Sequence, residues 1–145
     1  MQLSHNGIEL IKDREGFRGV AYKDTGGVWT VGYGTIKVDG IPVQEGQTCS
    51  VEQACLWLEN DVKWAQTAVN KSVKVNLNQN QFDALVSFVY NVGENAFYKS
   101  TLLRKLNSGD YHGAAKEFER WVLDNGKVIP GLVSRRHQEE ELFES

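Results

Sequence analysis

With 145 residues, 41% of them hydrophobic, 24% charged and only two prolines, the chain has the size and composition of one domain or of two small lobes sharing a core. That balance excludes a disordered or a fibrous polymer. Sixteen Lys and Arg against nineteen Asp and Glu leave a net charge of -3, which offers nucleic acid no global electrostatic footprint.

The opening Met1-Gln2-Leu3-Ser4-His5-Asn6-Gly7 has neither the basic flank nor the apolar run of a secretory signal. No stretch approaches the roughly 18 to 20 apolar residues of a membrane span, so no stable membrane insertion is expected. Leu3, Ile8 and Ile11 then form one apolar stripe of a short helix that Gly16 stops, with Glu15 at its end.

Seven of the fourteen glycines fall between Gly16 and Gly40, interleaved with Val20, Tyr22, Val28, Trp29, Val31, Tyr33, Ile36 and Val38. Short apolar and aromatic runs between glycine turns predict antiparallel strands, roughly Gly19 to Lys23 and Val28 to Gly32, joined through Asp24-Thr25-Gly26-Gly27. Ser50 with Gln53 forms a capping box, and Leu56, Leu58, Val62, Ala65 and Val69 continue it as one linking helix over about 51–69.

Asn78 with Gln81 starts the next helix, in which Phe82, Leu85, Val86 and Val89 recur at helical spacing until Gly93. Further helices are predicted from Thr101 to Asn107, from Asp110 through Val122, and from Pro130 to Phe143. The plan is α+β and mainly helical: a β-hairpin lobe over about 13–50, the linking helix, and a helical lobe over about 70–145 that also takes the N-terminal helix, with a cleft between the lobes.

Cys49 and Cys55 are too few for a disulfide framework and have neither zinc nor redox spacing, so both read as free thiols. His5, His112 and His137 are far apart, and no metal site or cofactor is expected. Arg135-Arg136-His137 is followed by Glu139, Glu140 and Glu141, which largely cancel a basic patch. Trp57, Trp64 and Trp121 have helical spacings typical of packing.

Glu15 at a helix end, Asp24 at the hairpin turn and Thr30 on the returning strand are placed to converge on one cleft. Two carboxylates flanking a bond are the requirement of glycoside hydrolysis, in which one acid protonates the leaving oxygen and the other handles water or the anomeric carbon. A chain with nineteen acids offers many such pairs by chance, so the spacing alone is weak.

Glu15-Gly16-Phe17-Arg18, Ala21-Tyr22-Lys23-Asp24 and Trp29-Thr30-Val31-Gly32-Tyr33-Gly34 together resemble the signature of phage-type lysozymes, endolysins of glycoside hydrolase family 24. Their pattern of Glu, eight residues, Asp, five residues and Thr is met at Glu15, Asp24 and Thr30 without a gap. Asn80-Gln81-Phe82-Asp83-Ala84-Leu85, Tyr90-Asn91-Val92-Gly93 and Pro130-Gly131-Leu132-Val133-Ser134-Arg135-Arg136 extend the resemblance, toward the lambdoid-phage branch, over almost the whole chain. Where T-even relatives carry a histidine after Gly-x-Gly, this chain has Thr35.

The resemblance implies a lysozyme-like fold and cleavage, with inversion, of the β-1,4 bond between N-acetylmuramic acid and N-acetylglucosamine in peptidoglycan. It implies Glu15 as general acid, with Asp24 and Thr30 positioning the water. Tyr33, Ile36, Tyr90 and Asn91 become expected sugar contacts, and Arg135 or Arg136 the expected cation near the acid. A carboxyl at a helix C-terminus faces the negative end of the dipole, which suits a proton donor.

A monomer without cofactor or nucleic acid is expected. It would accumulate in the host cytoplasm and depend on a holin for release to the wall. The rival reading is a non-catalytic cell-wall glycan-binding module, against which the intact Glu15, Asp24 and Thr30 speak.

Overall fold

In a computed structural model that describes residues 1–145, Ser4 opens helix α1 (His5–Glu15) by accepting the Gly7 N–H at 3.1 Å. The Ser4 N–H in turn donates to the wholly buried Asp83 carboxylate at 3.1 Å, its hydroxyl donates to the same group, and Gln79 Nε2 adds a third donor at 2.8 Å. Glycine is required at position 7, because a Cβ there would stand 2.7 Å from Asp83 Cγ. At the other end Gly16, with φ of +73°, returns its N–H to the Lys12 carbonyl at 2.9 Å and stops the helix just after Glu15.

The chain divides into two compact units, Ile8–Lys63 and Met1–Gly7 with Trp64–Ser145. In the first, β1 (Arg18–Lys23) pairs antiparallel with β2 (Trp29–Gly32), Tyr22 opposite Thr30 and Lys23 opposite Trp29. These strands lie within a residue of the predicted ones. A second hairpin, β3 (Lys37–Val38) and β4 (Ile41–Pro42), follows the two expected strands and turns at Asp39-Gly40, with φ values of 52° and 78°.

Helix α2 (Val51–Asp61) carries the predicted capping box of Ser50 and Gln53. The expected single helix over 51–69 is corrected: it breaks at Val62, and α3 (Lys63–Ser72) follows. The Val62 side chain is buried and its N–H still reaches the Leu58 carbonyl at 3.0 Å, but its ψ of -9° tips the following peptide out of the helical ladder. Ile11, Val31, Val43, Ala54, Leu58 and Val62 form the core of this unit.

The second unit is built on α4 (Gln79–Val92), capped by Asn78 and Gln81 and buried continuously from Phe82 to Val89. Around it lie α5 (Glu94–Tyr98), α6 (Thr101–Asn107), α7 (Tyr111–Glu117) and α8 (Pro130–Glu144). The helix expected to run from Asp110 through Val122 ends at Glu117, passes into a 3₁₀ turn at Phe118–Arg120, and gives way to a hairpin of β5 (Leu123–Asp124) and β6 (Lys127–Val128). The cause is Asn125-Gly126, with φ of 50° and 76°, a two-residue turn that splits the helical pattern.

Phe88 is the hub of this core, meeting Phe97, Phe118 and Trp121 edge to face at centroid distances of 6.4, 5.2 and 5.4 Å. Cys49 and Cys55 are free, and no helix is long and apolar enough to cross a membrane.

Candidate active site

Glu15, Asp24, Thr30, Tyr33 and Ile36 belong to the unit Ile8–Lys63, whereas Tyr90, Asn91, Arg135 and Arg136 belong to the other. Glu15 is the last residue of α1 and is half-buried, fixed in place by the Gly16 stop. Tyr33 packs beside this helix end, its ring 5.6 Å from that of Phe17 and 5.6 Å from the Lys12 ammonium.

Asp24 does two jobs with one oxygen. Its Oδ1 accepts the N–H groups of Gly26 and Val28, both at 2.9 Å, and so closes the hairpin turn; its Oδ2 takes no part in that closure, and the residue is exposed. The backbone repeats the closure, since the Asp24 N–H donates to the Val28 carbonyl at 2.9 Å. Thr30 is buried on β2, and its hydroxyl donates to the same Val28 carbonyl at 3.0 Å. With its proton committed there, Thr30 Oγ1 can offer a neighbour only lone pairs.

After β2 the loop Gly32-Tyr33-Gly34 is tied off by Val31 and Thr35, which exchange backbone bonds of 2.9 Å in both directions. The wholly buried Thr35 hydroxyl donates to Asp61 Oδ2 at 2.6 Å, fastening the loop to the end of α2. Burial raises the Asp61 carboxyl above the ordinary carboxylate range, partly offset by the Thr35 bond. Ile36 is exposed at the loop's far end.

In the other unit Arg135 and Arg136 are buried rather than solvated. Arg135 Nε bonds Glu139 Oε2 at 3.2 Å, Arg136 Nε lies 3.1 Å from Glu139 Oε1, and the Ser87 hydroxyl donates to Glu139 at 2.6 Å. Burial pushes the Glu139 carboxyl up and the Arg136 guanidinium down, each toward its neutral form, against the mutual attraction of the pair. Arg136 also lies over the Phe88 ring at 5.1 Å and donates from Nη2 to Asn91 Oδ1.

Trp64, read from the sequence as a packing residue, is 39% exposed and stacks on Tyr90 with centroids 5.9 Å apart and planes at 29°. The available signal was its face: three and seven residues on stand Thr67 and Lys71, both exposed. Trp121, by contrast, is packed against Phe88. No group of three or more His, Cys, Asp or Glu is arranged to hold a metal ion.

A family model described as phage lysozyme matches residues 12–139. The chain is 45% identical to an endolysin of Acyrthosiphon pisum secondary endosymbiont phage 1, over 100% of this chain and 99% of that one. It is 44% identical to the endolysin of Salmonella phage P22, over 99% of this chain and 98% of that one. A crystal structure of a P22 lysozyme mutant superposes with a TM-score of 0.90 at 42% identity, covering 100% of this chain and 99% of that one.

Proposed function

The chain belongs to the phage lysozyme family and is a lysozyme acting in cell-wall lysis, and from that premise we propose that Glu15, Asp24 and Thr30 form its catalytic set. The substrate is peptidoglycan, cut at the β-1,4 bond between N-acetylmuramic acid and N-acetylglucosamine. Glu15 gives its proton to the glycosidic oxygen as the bond to the anomeric carbon breaks.

The observation that carries this reading is the division of labour at the hairpin turn. Asp24 Oδ1 is spent on the Gly26 and Val28 amides, and the Thr30 proton on the Val28 carbonyl. A water shared by Asp24 Oδ2 and Thr30 Oγ1 then meets two acceptors, donates both its protons to them, and turns a lone pair toward the anomeric carbon. Asp24 takes the proton that the attacking water loses. A water placed between carboxylate and sugar gives inversion, the geometry that needs about 6.5 to 9.5 Å between the two carboxyl groups rather than about 5 to 5.5 Å.

Tyr33 and Ile36 are sugar contacts, as are Tyr90 and Asn91. The enzyme works as a monomer, accumulates in the host cytoplasm and reaches the wall once a holin has opened the membrane; free Cys49 and Cys55 are compatible with a reducing compartment.

The deciding experiment adds purified protein to outer-membrane-permeabilised cells and follows turbidity. Glu15→Gln keeps shape and hydrogen bonding but has no proton to transfer, so lysis is expected to fall by roughly 10²- to 10⁴-fold with the circular dichroism spectrum unchanged. A folded Glu15→Gln lysing within a few-fold of the parent would remove Glu15 from the mechanism.

A further inference from the structure

We propose that Trp64 is a glycan-stacking residue that sets specificity for N-acetylated sugars, backed by Tyr90 and accompanied by the Asn91 amide. The proposal rests on the lysozyme reading above and extends it to a residue whose helical spacing alone predicts packing.

The ring pair is the first observation. A tryptophan held only by packing would be expected to lose most of its surface to the core, yet Trp64 keeps 39% of its surface in water while Tyr90 stacks against it at 5.9 Å. Tyr90 is half-buried at the last turn of α4, so it holds the indole as a rigid platform rather than a free rotor. An exposed, flat, amphipathic ring with fixed orientation is matched by the apolar C–H face of a pyranose, which can cover it at little entropic cost.

The second observation is the amide next to it in sequence. Asn91 is exposed, and the buried Arg136 donates from Nη2 to its Oδ1. A guanidinium has no acceptor, so the amide cannot flip: Oδ1 must face Arg136, and the NH₂ group must face away from it. Arg136 is itself held by Glu139 at 3.1 Å, so the orientation is set from within the core. Tyr90, which stacks on Trp64, directly precedes Asn91 at the end of α4, and a stacking ring together with a donor of fixed direction fits a sugar carrying an acetamido carbonyl better than one carrying a hydroxyl at the same carbon.

Two measurements test this. In ¹H–¹⁵N spectra of the full chain, with the Trp64 indole resonance identified by its loss in Trp64→Phe, tri-N-acetylchitotriose is expected to shift that resonance, and cellotriose, of the same ring but without acetamido groups, to do so only at much higher concentration. On solubilised uncross-linked peptidoglycan, Trp64→Ala is expected to raise KM about tenfold with kcat near the parent value, because the ring binds ground and transition states alike. Trp64→Phe should recover most of the loss, and Trp64→Leu, apolar but not planar, should not.

A merely structural Trp64 would lower the melting temperature in Trp64→Ala and leave KM unmoved. That result, or an indole resonance indifferent to both sugars, overturns the proposal. A parent protein that fails to cleave peptidoglycan at all would instead remove the lysozyme reading on which it rests.

Discussion

Asp24 and Val28 are joined twice, the Val28 N–H reaching Asp24 Oδ1 and the Asp24 N–H reaching the Val28 carbonyl, both at 2.9 Å, and the Thr30 hydroxyl reaches that same carbonyl. The residue assigned to the water therefore also builds the turn that holds it. Substitution can separate the two jobs. Asp24→Asn retains an oxygen for the Gly26 and Val28 amides, so its melting temperature should stay near the parent's while lysis falls by roughly 10²-fold or more. Asp24→Ala loses those bonds too and should melt lower as well, by about 1 to 3 kcal/mol of stability. Thermal melts beside turbidity assays check both; equal melting of the two variants would deny Asp24 its turn-closing role.

Thr30 admits a similar separation. Thr30→Ser keeps an oxygen that donates to the Val28 carbonyl and accepts from water, whereas Thr30→Val keeps the branched shape alone. Serine is expected within a few-fold of the parent, and valine to lose roughly 10- to 100-fold in kcat, with much of the β1–β2 pairing intact. Proton NMR of the first anomer released gives the companion outcome, an α product under inversion. A β product would require Asp24 to attack the sugar itself.

Much of this was legible in the sequence because the signals were local. The capping boxes at Ser50 and Asn78, Pro130 at a helix start and the glycine stop after Glu15 each fix backbone geometry through neighbours a few residues away. Asp39-Gly40 and Asn125-Gly126 were equally local turn signals; they were masked because the runs beside them are too short to alternate visibly, and because Trp121 and Val122 happened to continue the period of α7. The break at Val62 was hidden because Leu58, Val62, Ala65 and Val69 carry the apolar helical spacing straight through it. The pairings of Thr35 with Asp61 and of Ser87 with Glu139 join residues 26 and 52 positions apart, a choice of partners that no periodicity encodes, whereas Arg135 and Arg136 reach Glu139 at the i, i+4 and i, i+3 spacings of their own helix.

The Glu139 cluster should be costly to break and cheap to replace. Glu139→Gln leaves two buried guanidinium groups, Arg135 and Arg136, without their shared carboxylate, and a loss of about 3 to 5 kcal/mol in urea unfolding is expected. Because Arg136 would then lose what aims it at Asn91, the same variant should also raise KM in whatever native fraction remains. An Arg136→Met change removes one charge together with its need for a partner and is expected to cost less than Glu139→Gln. The reverse order would mean that the cation–aromatic contact with Phe88, at 5.1 Å, outweighs the ion pair.

Asp61 gives the pH-dependent test. Burial raises its folded-state carboxyl above the unfolded value near ~3.9, so in the window between those two values the folded protein binds more protons than the unfolded chain. Stability contributed by Asp61 is then largest below that window and declines as pH rises through it, leaving the ionised group mildly unfavourable at neutral pH. Asp61→Asn has no charge to desolvate and keeps an oxygen to accept the Thr35 hydroxyl now bonded at 2.6 Å. The variant is therefore expected to be more stable than the parent at pH 7, by an amount on the order of a few tenths of a kcal/mol because the carboxyl is only half-buried and solvent screens it. The advantage should shrink as urea unfolding is repeated at pH 6, 5 and 4. Thr35→Val, which removes the one bond opposing the rise, should widen the window and steepen the parent's decline. If Asp61→Asn is instead the weaker protein at pH 7 and gains relative to the parent on acidification, the carboxylate charge is what the Thr35 bond needs, and the sign assigned to burial is wrong.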